Sequence, residues 1–357
     1  MHSRIERVLD RMRAKGLSQM IVADPMSIRY LSGVDIEPFE RLFILYLRDD
    51  GSGHFFLNRL FTVPQTEFQE HWYSDTDDPI RELAQLVQSD QPLGIDKVWT
   101  ARFLIPLMQY CPNMPVLLAS DCVDDCRAIK DADEIDKMKR ASAINDQVME
   151  EAASYVRAGM TEKELAAFIR KRFRELGCQG KSFTTIVSFG ANAADPHHEP
   201  DDTILEEGQC VLIDMGCIKD HYCSDMTRTY FCGTADPEQT AVHDLVREAN
   251  ERAIRMIRPG VRFCDIDAAA RSHIEEAGYG PNFTHRLGHF IGQTDHEQGD
   301  VSSTNTSRTE AGMIFSIEPG VYLPGKFGVR IEDLVLVTED GYELLNHVAK
   351  EWKSVGV

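Results

Sequence analysis

The sequence predicts a two-domain protein, a smaller N-terminal α/β domain over residues 1–126 followed by a larger α+β domain over residues 127–357. Three observations predict it. Up to about Asp121, helical spacings alternate with short apolar runs, as in an α/β unit. A charged stretch, residues 127–134, then gives way to long helical patterns and a strand-rich remainder. Within that remainder, acidic residues stand inside strand-like apolar runs: Asp214 in Val211-Leu212-Ile213-Asp214-Met215, Glu318 in Phe315-Ser316-Ile317-Glu318, and Glu332 in Val329-Arg330-Ile331-Glu332.

The elements follow in order. Residues 5–15 carry apolar side chains at helical spacing, and Gly16 stops them. Residues 19–23 form a short strand, residues 42–47 are a continuous apolar run, and residues 55–57, 79–87, 100–110 and 116–119 continue the alternation. No glycine-rich phosphate loop appears among them. In the second domain, Ile135, Met138, Ala141, Ile144 and Val148 fit one long helix over residues 133–157. Thr161 and Glu164 form a capping box that opens the next, which Gly177 ends. Helices are also expected over residues 238–257 and 264–276. Such a pattern suits an α+β domain whose sheet is covered on one face.

Composition excludes several function classes. A hydrophobic content of 43% and a charged content of 27% are ordinary for a globular chain. No apolar stretch reaches the length of a membrane span, and the N-terminus lacks a signal core, which together imply a cytoplasmic protein without a membrane partner. A formal net charge of -20 argues against nucleic acid, whose phosphates require a basic footprint. The nine cysteines include no Cys-x-x-Cys pair and read as reduced, mostly buried thiols.

A carboxylate buried in an apolar run costs several kcal/mol, roughly, unless something compensates it. Asp225 lies eleven residues after Asp214, across an expected turn at residues 216–220, so a hairpin can aim both at one point. His289 follows in Gly288-His289-Phe290-Ile291-Gly292, whose glycines permit close backbone approach. With Glu318 and Glu332 these make four carboxylates and one imidazole. Packed together the four would repel, and two divalent cations balance them. Oxygen-rich ligands favour manganese, with cobalt, iron(II) and zinc as alternatives. Two such ions can bridge a water, lower its pKa and polarise a carbonyl, which makes the expected reaction metal-assisted hydrolysis.

These segments carry a family resemblance. Pro196-His197, Ile213-Asp214-Met215-Gly216, Ser224-Asp225-Met226-Thr227-Arg228-Thr229, His285-Arg286-Leu287-Gly288-His289, His296-Glu297, Ser316-Ile317-Glu318-Pro319-Gly320 and Gly328-Val329-Arg330-Ile331-Glu332-Asp333 resemble, in order, the signatures of the pita-bread metallopeptidases. The part before them resembles the creatinase-type N-terminal domain of prolidases and aminopeptidases P. The resemblance implies a pita-bread fold and metal ligation by Asp214, Asp225, His289, Glu318 and Glu332, with Asp225 and Glu332 touching both ions. It implies that His197 and His296 hold substrate and stabilise the tetrahedral intermediate, and that Glu318 is also a general acid/base. A surface loop is the competing reading for His197, and His198 is its competitor within the motif. A homodimer is a further implication.

Proline's tertiary amide lacks an N–H and restricts the residue before it, so Xaa-Pro bonds need a dedicated peptidase. The resemblance implies a peptide substrate with proline second. An Xaa-Pro dipeptidase stands slightly ahead of an aminopeptidase P, and a non-catalytic pita-bread binding protein is the rival of another class. A dipeptidase needs a cation for the C-terminal carboxylate. Many prolidases carry Pro and then Arg shortly after the His-Glu pair, where this chain has Gln298-Gly299-Asp300. Arg41, in a loop resembling the charged N-terminal loop of some prolidases, and Arg330 are the candidate substrate residues. Phe290, in place of a usual glycine, is expected to narrow or reshape the pocket.

Overall fold

A computed structural model describes residues 2–356, and the chain divides into two compact units, residues 1–127 and 128–357. In the first, six strands form a mixed sheet in the order Gln69–Tyr73, Gly53–Asn58, Ile44–Arg48, Gln19–Val22, Leu93–Ile95, Val116–Leu118. The central strand Gln19–Val22 is buried along its whole length. Met20 and Val22 pack into one apolar cluster while Ile21 packs into the opposite one, the period of two that burial on both faces demands. Gln19 is tolerated there because Tyr46 Oη donates to its Oε1 at 2.8 Å.

Two helices of this unit carry no strong periodic signal in the sequence. Pro25–Ser32 is too short for a helical period, yet its ends are well marked: Asp24 caps it, Pro25 opens it and Gly33 closes it at φ 75°. Asp121–Ala128 lies beyond the last expected strand. It contributes Cys122, Val123 and Cys126 to the core although acidic residues interrupt its pattern.

The second unit opens with the helices Ala132–Tyr155 and Glu162–Glu175, each started by a full capping box, Asp131 with Glu134 and Thr161 with Glu164. Pro237–Met256 and Phe263–Glu276 form a second helix pair. Between the pairs lies a four-stranded sheet ordered Ser354–Val355, Met226–Cys232, Cys210–Met215, Ile186–Phe189. A five-stranded sheet follows the order Glu297–Val301, Gly288–Phe290, Ile314–Ile317, Asp333–Val337, Tyr342–Leu344. The expected one-sided cover is incomplete. Val211, Ile213 and Met215 pack with the first helix pair, while Cys210 and Leu212 pack with the second pair and with Phe315 and Val335 of the other sheet. The strand Cys210–Met215 is therefore buried on both faces. By the same alternation Asp214 shares the face of Leu212, toward the second sheet.

The hairpin also departs from its expected form. Asp214 pairs with Thr227, and the strands Cys217–Lys219 and Tyr222–Cys223 form a separate small ladder whose turn is Asp220-His221, at φ 50° and 66°. A Cβ on Gly216 would run into the Ser224 carbonyl and Ser182 Oγ, so glycine lets the chain cross itself just before Asp225. All nine cysteines are free, and seven are buried. Among the described residues no helix is long and apolar enough to cross a membrane.

Candidate metal centre

Five strand segments deliver their acidic or imidazole side chains to one cavity of about 680 Å³. Asp214 comes from within its strand, Asp225 stands immediately before Met226–Cys232, Glu318 directly after Ile314–Ile317, and Glu332 between Phe327–Arg330 and Asp333–Val337. His289 is the middle residue of Gly288–Phe290. A Cβ on Gly288 would meet the Ser316 carbonyl, and this close approach lets His289 N donate to Ser316 Oγ at 3.0 Å. Ser316 Oγ in turn donates to Glu318 Oε1 at 3.1 Å, which ties the two segments at the cavity floor.

The orientation of His289 follows from chemistry. Its Nδ1 lies 3.2 Å from the Phe290 carbonyl, which can only accept, so Nδ1 carries the proton and Nε2 offers a lone pair. Nε2 faces Asp225 Oδ2 at 3.5 Å, Glu318 Oε1 at 3.6 Å and Glu332 Oε1 at 3.9 Å. These distances are too long for good hydrogen bonds. They match the spacing of ligand atoms that could share one ion at about 2.0–2.2 Å from each.

Three carboxylate oxygens strengthen that fit. Asp214 Oδ1, Asp225 Oδ1 and Glu332 Oε1 are buried without a hydrogen-bond partner, a costly arrangement unless another atom binds them. Two of their sister oxygens are provided for: Arg330 Nη2 donates to Asp214 Oδ2 at 2.6 Å, and Thr227 Oγ1 donates to Glu332 Oε2 at 2.7 Å. The neighbouring Asp333 faces elsewhere, pairing with Arg228 and Lys350.

Burial pushes the carboxyls of Asp225 and Glu332 well above the usual range. Asp214 and Asp295 raise Asp225 further, and Asp225, Glu318 and Asp214 raise Glu332 further. Burial likewise raises Glu318 to about 7. Protonation relieves such crowding in the absence of cations; a pair of divalent ions relieves it with the carboxylates ionised. The donor set of four carboxylates and one imidazole fits hard or borderline divalent ions.

On the cavity wall, His197, His285, Arg286, Asp295, His296 and Arg330 surround these groups. The His296 ring centroid lies 3.9 Å from that of His289. Arg286 Nη2 approaches His296 Nδ1 at 3.2 Å. An arginine only donates, so Nδ1 accepts and His296 keeps its proton on Nε2. Desolvation, and then His289, lower its pKa to about 4.

Four of the five Arg330 N–H groups go to protein acceptors: Asp214 Oδ2, Tyr322 Oη, Thr227 Oγ1 and the Pro196 carbonyl. Tyr322 Oη donates to His285 Nε2 at 2.9 Å, because His285 Nδ1 faces the Arg286 carbonyl at 2.7 Å and must donate there. Arg330 thus holds other cavity residues in place. Arg41 lies in the first unit, with Nε and Nη2 on the two oxygens of Asp75 at 2.9 and 3.0 Å.

One expectation changes here. Phe290 does not line the cavity: it alternates away from His289 into the core, edge-on to Phe263 at 5.4 Å. Gly299, at φ 119°, leaves room for its ring. Arg286 and Asp295, both on the wall, received no role from the sequence. Arg286 lies within the His285–His289 motif, and a cation three residues from the candidate ligand His289 was the available signal.

The sequence carries matching relationships over its whole length. Residues 136–339 match Metallopeptidase family M24, and residues 4–129 match the Creatinase/Prolidase N-terminal domain. The chain belongs to metallopeptidase family M24. An uncharacterized peptidase of Staphylococcus aureus is 38% identical over 98% of this chain and 100% of its own length. The dipeptidase PepE from Mycobacterium ulcerans superposes with a TM-score of 0.92 at 32% identity, covering 99% of this chain and 97% of the other. The X-Pro aminopeptidase from Thermotoga maritima superposes at 0.83 with 31% identity, covering 95% and 98%. The prolidase from Pyrococcus horikoshii OT3 superposes at 0.89 with 27% identity, covering 98% and 99%. This M24 peptidase therefore has the expected fold, a creatinase-type N-terminal domain before a pita-bread catalytic domain, and its family implies divalent metal ions.

Proposed function

We propose that this M24 peptidase hydrolyses Xaa-Pro bonds with two divalent ions held by Asp214, Asp225, His289, Glu318 and Glu332, and that dipeptides are its main substrates. One observation carries the metal assignment: three buried, partnerless carboxylate oxygens converge with His289 Nε2 in one cavity. When bound, two such ions activate a water as nucleophile and polarise the scissile carbonyl. Manganese is the proposed ion, on the oxygen-rich donor set.

The remaining residues take roles from their positions. His296 presents Nε2–H as a donor to the oxygen that gains charge during attack, and its low pKa keeps it neutral. His197, on the same cavity wall, is the second donor. Glu318, buried beside His289, is the carboxylate proposed to take a proton from the attacking water and pass it to the proline nitrogen. For the C-terminal carboxylate of a dipeptide, Arg286 is the candidate on the cavity wall: Arg330 is engaged by Asp214, whereas Arg286 has one N–H on His296 and the others free of carboxylates among the described residues. Arg41 remains a second candidate, with Asp75 as its present partner.

Dipeptidases and prolidases among the structural relatives support the dipeptide reading, and the X-Pro aminopeptidase supports the alternative of longer peptides. We place the protein in the cytoplasm as a homodimer. The deciding assay compares an Xaa-Pro dipeptide with an Xaa-Pro-Xaa tripeptide, with manganese and after chelation. Faster, chelator-sensitive turnover of the dipeptide is expected. Preference for the tripeptide would make it an aminopeptidase P, and no turnover of either would favour a binding protein.

A further inference from the structure

The His197 ring sits on the cavity wall, open to solvent, and makes no side-chain hydrogen bond among the described residues. Its position is therefore set by the backbone of the loop that carries it. That loop is polar and proline-rich, a composition with little tendency to hold one shape. Arg330 reaches the Pro196 carbonyl at 3.3 Å and Asp195 Oδ1 accepts from His197 N at 3.0 Å, but one buried carboxylate grips the loop on both sides of His197. Glu162, the first residue of the helix Glu162–Glu175, is fully buried.

Glu162 Oε1 accepts from Phe189 N at 2.7 Å and from Asn192 Nδ2 at 3.0 Å. Its Oε2 accepts from Asp201 N at 3.0 Å and from His198 Nε2 at 2.7 Å. Phe189 and Asn192 precede His197, while His198 and Asp201 follow it. One oxygen grips the loop upstream and the other grips it downstream. The helix N-terminus adds favourable charge for a buried carboxylate at this place.

Glu162, His198 and Asp201 also lie close enough together to suggest a second cation site. Their bonding argues against it. Both Glu162 oxygens already carry two N–H donors, whereas the oxygens around His289 include partnerless ones. A cation at Glu162 would have to displace bonds that are already made.

We propose that Glu162, acting with His198, is a positioning residue that staples both sides of the residue 189–201 loop and so fixes His197 against the substrate. This rests on the reading of His197 as a substrate-facing residue. A displacement of about 1 Å in such a group can reduce turnover by up to about a hundredfold.

The test is a double-mutant cycle on the manganese-loaded full chain with an Xaa-Pro dipeptide. In the wild-type background Glu162→Ala should lower kcat/KM about tenfold or more, and in a His197→Ala background less than about twofold. Bound manganese should stay at the wild-type level, and hydrogen exchange at the Phe189 and Asp201 amides should accelerate. Equal factors in both backgrounds, or loss of manganese, would overturn the staple. Should Glu162→Ala fail to fold, His198→Ala serves in the same cycle, and His198→Gln, which can still donate to Glu162, should recover most of the loss; no recovery overturns the proposal. An unchanged kcat/KM in His197→Ala alone would instead remove the reading of His197, and the staple with it.

Discussion

Arg330 Nη2 donates to Asp214 Oδ2 at 2.6 Å, and Asp214 Oδ1, equally buried, has no partner. One carboxylate is thus half fixed by protein and half open toward the cavity. Glu332 repeats the arrangement, with Thr227 on one oxygen and none on the other. Bonds to outer partners orient ligand groups before an ion arrives. Burial first, and neighbouring carboxylates after it, displace the Asp225 and Glu332 carboxyls far above ordinary values, and Arg330 offsets this only in part.

Asp225→Asn removes a charge without changing shape. It should abolish Xaa-Pro hydrolysis and lower the bound metal, measured by elemental analysis of the dialysed protein. Full metal content with retained turnover would show the ligand assignment to be wrong.

Metal should also stabilise the fold. An ion that binds only the native state adds RT ln(1 + [L]/Kd), about 2.7 kcal/mol at a hundred times Kd. Melting followed by circular dichroism should show Tm rising with manganese in the wild type and rising much less in Glu332→Gln. Equal rises in both proteins would place the ion elsewhere.

Arg286→Ala should raise KM for an Xaa-Pro dipeptide more than for Xaa-Pro-Xaa, because only the dipeptide puts a terminal carboxylate beside the scissile bond. Arg41→Ala, assayed in parallel, separates the two candidate cations. A dipeptide-selective effect in Arg41→Ala alone would transfer the role to Arg41. Equal effects of Arg286→Ala on both substrates would leave the carboxylate without a partner at Arg286.

Gly216→Ala places a methyl group against the Ser224 carbonyl and Ser182 Oγ. Backbone has little room to yield, so about 2 kcal/mol of stability or more should be lost. Urea denaturation measures it, and a loss below about 0.5 kcal/mol, the range of an ordinary surface substitution, would contradict the crossing described here.

His243 gives a pH test away from the cavity wall. Burial lowers its pKa from 6.5 to about 4. The unfolded chain then binds a proton that the folded one refuses between those values. Stability contributed by this group is full above about pH 6.5 and falls as pH drops toward 4. His243→Leu should flatten the denaturation free energy against pH by one proton's slope in that window. An unchanged slope would mean that His243 titrates alike in both states.

Much of this was legible in the sequence for stated reasons. Capping residues act locally, so Thr161 with Glu164 announced a helix that the structure contains. Acidic residues in apolar runs are anomalies that need no tertiary information, so Asp214, Glu318 and Glu332 could be singled out at once. Pro25–Ser32 and Asp121–Ala128 escaped because a helix of two turns shows too little periodicity. Phe290 was misjudged because its direction depends on the alternation of a strand whose register only the sheet supplies.

By itself, the sequence determined the family, the two-part fold and the set of residues that could bind metal, because residue type and local order are enough for those. Only the tertiary structure decided which oxygens are left without partners, that Arg330 is occupied by the protein while Arg286 lines the cavity, and that one buried Glu162 holds the loop of His197. These are relations between residues distant along the chain, fixed by which strand lies beside which and by the hydrogen bonds that burial obliges them to make.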